Sequence, residues 1–276
     1  MINLTLDMSP IGGAHRQPPE TPSAQAEIER DLEFYVIASA SFIEITSDLY
    51  TQNLVDFFAD DEEVGGWLDQ VWQPEELRHG AVLRSYVRET WPSFDWEAAY
   101  RSFFAEYSLF CSVDALMPTR ALQLAALCVV ETGTASFYRM MVSATADPAL
   151  ARIAAGISAD EVGHYKAFYR HFRRYRALEQ PPQSQVLRAL LKRAGEVDAA
   201  DAFYAFKHVR LANSSSGEFD RRDYAAFRNA CRKLAKRHFP TEMAMKMFLK
   251  PLDLGAMTGR LALPPLTWAT RLVLFR

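Results

Sequence analysis

Nowhere in the 276 residues do eighteen apolar side chains run without interruption, so no segment reads as a membrane-spanning helix. The three cysteines, Cys111, Cys128 and Cys231, stand far apart with no CxxC pair. That spacing argues against a disulfide scaffold or a thiolate metal site, and a reducing cytoplasm is the expected compartment. The first residues, MINLTLDMSPIGGAHRQPPETPS, contain no basic segment leading into an apolar one; residues 1–23 are expected to be a flexible arm rather than a secretory signal. Charge of neither sign dominates: 31 Lys and Arg stand against 34 Asp and Glu, which gives no reason to expect nucleic acid as a partner. A GxGxxG dinucleotide fingerprint is missing, and so is any useful length of the period-two alternation that marks strands.

What is there is helical. Hydrophobic residues make up 49% and charged residues 24%, enough to bury a sizeable core. From Ala24 to Phe58 no Gly or Pro intervenes and apolar residues recur at helical spacing, which predicts one long helix ended by the glycines at 65 and 66. Pro74 suits the first turn of a second helix running to about Glu89. Asp95–Met117, Thr119–Ala144 and Pro148–Leu178 read as three more. EQPPQ at 179–183 is a hinge, and beyond it 184–212 and 220–238 read as helices, followed by shorter pieces from Pro240. The expectation is an all-α protein: a helical bundle over 24–178 and a C-terminal helical extension over 184–276 packed on it.

The pattern ExxH occurs twice, at Glu76–His79 and Glu161–His164, where eighteen glutamates and six histidines in this length give fewer than one by chance. Each is preceded by a glutamate in an otherwise apolar helix: Glu44 in SFIEITSDLY, thirty-two residues before Glu76, and Glu131 in ALCVVETGTASFY, thirty before Glu161. The chain therefore repeats one helix–loop–helix unit, with 95–117 as the crossover. A lone carboxylate in a setting as apolar as that of Glu131 is very costly unless it is paired, protonated or bound to a metal. Four carboxylates and two imidazoles suit two iron or manganese ions, whose charge of +4 would cancel the −4 of Glu44, Glu76, Glu131 and Glu161. Asp160 is placed to orient His79. Glu75 is placed either to orient His164 or to sit in solvent against the helix dipole. Asp48, one turn from Glu44, is a reserve ligand.

These motifs resemble the ferritin-like di-iron carboxylate proteins, and among them most closely the acyl-carrier-protein desaturases. EELRHG at 75–80 is similar to that family's EENRHG, and DEVGHYKAFY at 160–169 to its DEKRHE segment; Gly163 replaces the arginine of the latter. Thr134, three residues after Glu131, matches a family threonine beside the oxygen-activating face, and Tyr50 has a counterpart too. The resemblance covers roughly residues 30 to 175. It implies a ferritin-like four-helix bundle holding two iron ions, with manganese as the substitute, and O₂-dependent oxidation of an unactivated C–H bond of a fatty acyl or similar substrate. Phe42, Phe137 and Phe168 are expected to line an apolar pocket beside the metals. The alternatives are a di-iron monooxygenase or N-oxygenase on another small molecule, and a ferritin-like ferroxidase. With no dinucleotide fingerprint, electrons are expected from a separate ferredoxin-like protein, and a homodimer is common among similar proteins. Lys166, Arg170, Arg173 and Arg174 share one side of their helix, as a solvated helix end or a docking patch for an acidic carrier or ferredoxin. The tail LPPLTWATRLVLFR could pack on the bundle, form a dimer contact or lie on a membrane surface, packing being the first expectation.

Overall fold

The computed structural model describes residues 24–110, 116–196, 200–214 and 217–274; the N-terminal arm and the side chain of Tyr50 lie outside the described residues. Among these, every regular element is a helix: α1 Ala24–Arg30, α2 Leu32–Ile45, α3 Asp48–Phe57, α4 Glu62–Trp67, α5 Gln73–Thr90, α6 Trp96–Tyr107, α7 Arg120–Ala144, α8 Pro148–Glu179, α9 Gln183–Glu196, α10 Ala200–Asn213, α11 Arg221–His238, α12 Thr241–Leu249 and α13 Ala256–Leu274. The protein is all-α, as its periodicity implies.

The two longest helices, α7 and α8, lie along each other and are set by local chemistry. Thr119 caps α7 by accepting from Leu122 N, and Asp147 caps α8 by accepting from Ala149 N (2.7 Å), with Pro148 in the first turn. The carboxylate of Glu179, at the far end of α8, accepts from the N–H groups of Arg120 and Ala121 (3.1 and 2.9 Å). It thereby satisfies two free donors at the start of α7 and opposes the positive end of its dipole.

Four sequence expectations need correction, and one of them is the helix expected over 95–117, which ends at Tyr107 and is followed by a single 3-10 turn, Ser108–Phe110. The helix expected over 24–58 is three helices, interrupted at Asp31 and again at Thr46 and Ser47. At the second break the Thr46 hydroxyl donates to the Ile43 carbonyl (2.7 Å), the local side-chain competition that makes Ser and Thr poor continuers of a helix. Gly65 and Gly66 do not end a helix but sit inside α4. The helix expected over 184–212 is two, α9 and α10.

Buried side chains form two clusters. One joins α2, the C-terminal part of α5, α6, the C-terminal end of α7 and the start of α8 to α10 and α11, through Phe34, Phe42, Phe103, Met141, Ile157, Phe206 and Phe227. The other joins α4, the N-terminal half of α7 and the C-terminal half of α8 to α9, through Val64, Leu124, Phe168, Phe172 and Leu190. Each fully buried Leu or Phe contributes about 1.5–3 kcal/mol. The helices after residue 183 thus share the core of those before it. Along α7, Glu131 falls between Val129 of one cluster and Tyr138 of the other; along α8, Glu161 and His164 fall between Ile157 and Tyr165. The polar residues are confined to a band between two apolar masses.

α2 and α5 come close together at Gly80, immediately after His79. A Cβ there would lie 2.3 Å from Ile45 Cγ1 and 2.7 Å from the Ile45 backbone nitrogen. Because backbone cannot yield as a side-chain tip can, Gly80→Ala is expected to push the helices apart and cost about 1–3 kcal/mol. Gly66→Ala, which meets nothing within 4 Å, is expected to stabilise α4 by about 0.5–1 kcal/mol. Thermal unfolding of the two variants checks both signs.

Candidate metal centre

α2, α5, α7 and α8 each project one carboxylate into the band between the clusters: Glu44, Glu76, Glu131 and Glu161, with His79 and His164 one turn beyond the second and fourth. All six are buried, from 7% exposed for Glu44 to 1% for Glu131, Glu161 and His79. The structure brings them into two overlapping groups. Glu44, Glu76, His79 and Glu161 offer ligand atoms within 4.8 Å of one another, and so do Glu76, Glu131, Glu161 and His164. Glu76 and Glu161 belong to both groups.

The two groups cross over. Glu76 Oε1 faces Nδ1 of His164 on α8 at 3.1 Å, while Glu161 Oε1 faces Nδ1 of His79 on α5 at 3.4 Å. Each imidazole turns its other nitrogen outward to a carboxylate: His79 Nε2 to Asp160 (3.2 Å) and His164 Nε2 to Glu75 (2.7 Å). An ionised carboxylate can only accept, so Nε2 carries the proton and Nδ1 presents its lone pair to the centre. Arg78 holds Asp160 in place at 2.8 Å, and Glu75 is a partner of His164 rather than a purely solvated first-turn residue.

Two contacts were not singled out in the sequence. Tyr138 O–H donates to Glu44 Oε1 (2.5 Å) and Trp72 Nε1–H donates to Glu131 Oε1 (3.2 Å). Their only signal is helical spacing: Tyr138 lies seven residues after Glu131 and Trp72 four before Glu76. Trp72 ends a π-helical turn, Leu68–Trp72, that runs directly into α5. Thr134 is half-buried and its hydroxyl donates to Glu161 Oε2 at 2.9 Å. Asp48 is exposed and outside both groups. Phe42 is packed among Trp96, Tyr100 and Phe103, Phe168 lies between Trp67 and Trp72, and Phe137 is half-buried beside Tyr138. Of the cations near the end of α8, Arg174 is committed to Asp61 and Glu63, while Lys166, Arg170 and Arg173 are exposed.

Electrostatics show the strain of this arrangement without a cation. Burial, reinforced by the charge of Glu161, pushes the carboxyls of Glu76 and Glu131 above the usual range, and burial with the charges of Glu76 and Glu161 does the same to Glu44. Burial works against ionised Glu161 as well, but the close approach of Glu131, His164 and His79 outweighs it and holds that carboxyl low. Burial also disfavours charge on both histidines, and the surrounding carboxylates nevertheless raise them. Glu76 Oε1, Glu131 Oε2, Glu161 Oε1 and both Nδ1 atoms are buried with no hydrogen-bond partner. Five orphaned donor-capable atoms on facing side chains, all oxygen or imidazole nitrogen, fit a pair of divalent first-row ions.

No protein-family model, curated protein or solved structure matches this chain.

Substituting either outer carboxylate, Asp160→Asn or Glu75→Gln, is expected to leave the helical content unchanged and weaken metal binding by about 10–100-fold. Calorimetric titration with Mn²⁺ measures it. Glu131→Gln replaces a buried acid whose ionised form burial and Glu161 disfavour, so the metal-free variant is expected to be more stable at pH 7 by about 1 kcal/mol or more, raising its Tm by roughly 2–4 °C. Losing stability instead would show that Glu131 is satisfied without a metal.

Proposed function

We propose that the protein is an O₂-activating non-haem di-iron oxidoreductase built on a ferritin-like bundle, of the acyl-carrier-protein desaturase type, acting on an unactivated C–H bond of an acyl or similarly apolar substrate. One observation carries the reading: two overlapping ligand groups share Glu76 and Glu161 and between them use each of Glu44, His79, Glu131 and His164 once. Shared carboxylates with one private carboxylate and one private imidazole per group are the donor set of a coupled two-metal centre.

Glu44, Glu76, His79 and Glu161 would hold one ion and Glu76, Glu131, Glu161 and His164 the other. When bound, the ion pair supplies the two-electron reduction of dioxygen, which yields an oxidant strong enough for a C–H bond. The chain's own residues supply the rest. Tyr138 and Trp72 fix the rotamers of the two unshared glutamates. Thr134, hydrogen-bonded to Glu161, holds a hydroxyl proton beside a shared ligand, where a proton is needed as oxygen is reduced. The rings of Trp67, Phe168 and Trp72 on one side and Phe42, Phe103 and Trp96 on the other exclude water from the band. Desaturation consumes one O₂, two electrons and two protons per alkene and releases two waters. The electrons are assigned to a separate ferredoxin-like donor.

Anaerobic loading with ferrous iron, followed by O₂, a ferredoxin and its reductase, and acyl-carrier-bound and free fatty acids, tests the reading. The expected result is about two irons per chain and an alkene product, with Thr134→Val keeping the iron and losing about 10²-fold in turnover. Many irons per chain would mean iron storage, and an oxygenated product would mean a monooxygenase.

A further inference from the structure

α13 packs against α12 as an antiparallel hairpin: Thr270 O–H meets Met245 Sδ (3.3 Å) and Arg271 Nε–H meets Thr241 Oγ1 (3.3 Å). Its other face is open. Met257, Leu261, Trp268 and Leu272 fall on one helical stripe and are 77%, 72%, 66% and 37% exposed. Four large apolar side chains aligned on one helix face and left in water call for an occupant.

Charge identifies it. From Arg221 to Arg276 twelve Lys and Arg stand against three Asp and Glu, whereas the preceding 220 residues carry 19 against 31. The three acids are each paired, Asp223 with Arg210, Glu242 with Lys246 and Asp253 with Arg176. α11 exposes Arg232, Lys236 and Arg237, with Lys233 paired to Glu29 of α1, and its basic last turn leads through Phe239 and Pro240 to Thr241, the residue Arg271 touches. The last turn of α13 and the last turn of α11 are thus brought to one end of the molecule. α13 itself carries arginines and no acid.

We propose that α11 and the α12–α13 hairpin dock the protein on the surface of an anionic lipid bilayer, with the Met257–Leu272 stripe in the acyl–headgroup boundary and the cations of α11 on the lipid phosphates. A second copy of the chain is a poorer occupant, because a two-fold contact would set this cationic surface against itself. The stripe also carries an exposed tryptophan, whose amphipathic ring suits a headgroup layer. No described helix is long and apolar enough to cross a membrane, so the contact is peripheral. It stands whether or not the metal centre performs the proposed oxidation.

Co-sedimentation of the full chain with vesicles of phosphatidylglycerol and phosphatidylcholine, and with phosphatidylcholine alone, tests it. Binding is expected only to the anionic vesicles, with a blue shift of tryptophan emission and release by 0.5 M salt. Trp268→Ser with Leu272→Ser, and separately Lys236→Glu with Arg237→Glu, are each expected to weaken partitioning about tenfold or more, with circular dichroism and Mn²⁺ binding unchanged. Failure of the wild type to bind anionic vesicles would overturn the proposal. So would a concentration-dependent dimer lost in the Trp268→Ser, Leu272→Ser chain without any vesicle binding.

Discussion

Four carboxylates inside a protein interior repel one another, and they and the two imidazoles among them lose the water that would solvate them. Everything around the band between the two cores serves to hold them there. Gly80 lets α5 approach α2 to the point where a methyl group would strike backbone. The caps on α7 and α8 fix the register of the pair that carries Glu131, Glu161 and His164. Two apolar clusters close the band from both ends. A cation pair is the economical way to relieve the accumulated charge, and the orphaned atoms mark where it would sit.

The internal repeat does more than duplicate ligands. Each unit braces the other: Asp160 of the second orients His79 of the first, Glu75 of the first orients His164 of the second, and Tyr138 and Trp72 cross in the same sense to Glu44 and Glu131. Neither half can present a finished ligand set alone, so the site forms only when both helix pairs are docked. The symmetry breaks at one point. Thr134, three residues after Glu131, bonds to Glu161, whereas Ser47, three after Glu44, is buried with no hydrogen-bond partner.

The four glutamates and two histidines that the fold gathers were legible in the sequence because i+3 spacing and a repeat of about thirty residues are properties of the chain alone. So were Asp160 and Glu75, which flank them. Tyr138 and Trp72 were not, because an aromatic residue on an apolar helix face reads as packing until the partner's position is known. Capped helix boundaries, as at Thr119 and Asp147, were readable; the break at Thr46 and Ser47 was not, since hydroxyl competition with the backbone depends on rotamer. Asp48 was a reasonable reserve by spacing, but the chain turns between Ile45 and Asp48 and leaves it outside. The basic, open end formed by α11 and α13 became visible only once exposure could be set beside composition.

The proposed two-metal centre is open to direct measurement by loading the metal-free chain with Mn²⁺ and recording its electron paramagnetic resonance spectrum. Two manganese ions sharing Glu76 and Glu161 are magnetically coupled, and their spectrum is a multiline signal with hyperfine spacing half that of an isolated ion, collapsing in Glu161→Ala. A simple six-line spectrum at full loading, or no bound manganese, would contradict a shared two-metal site.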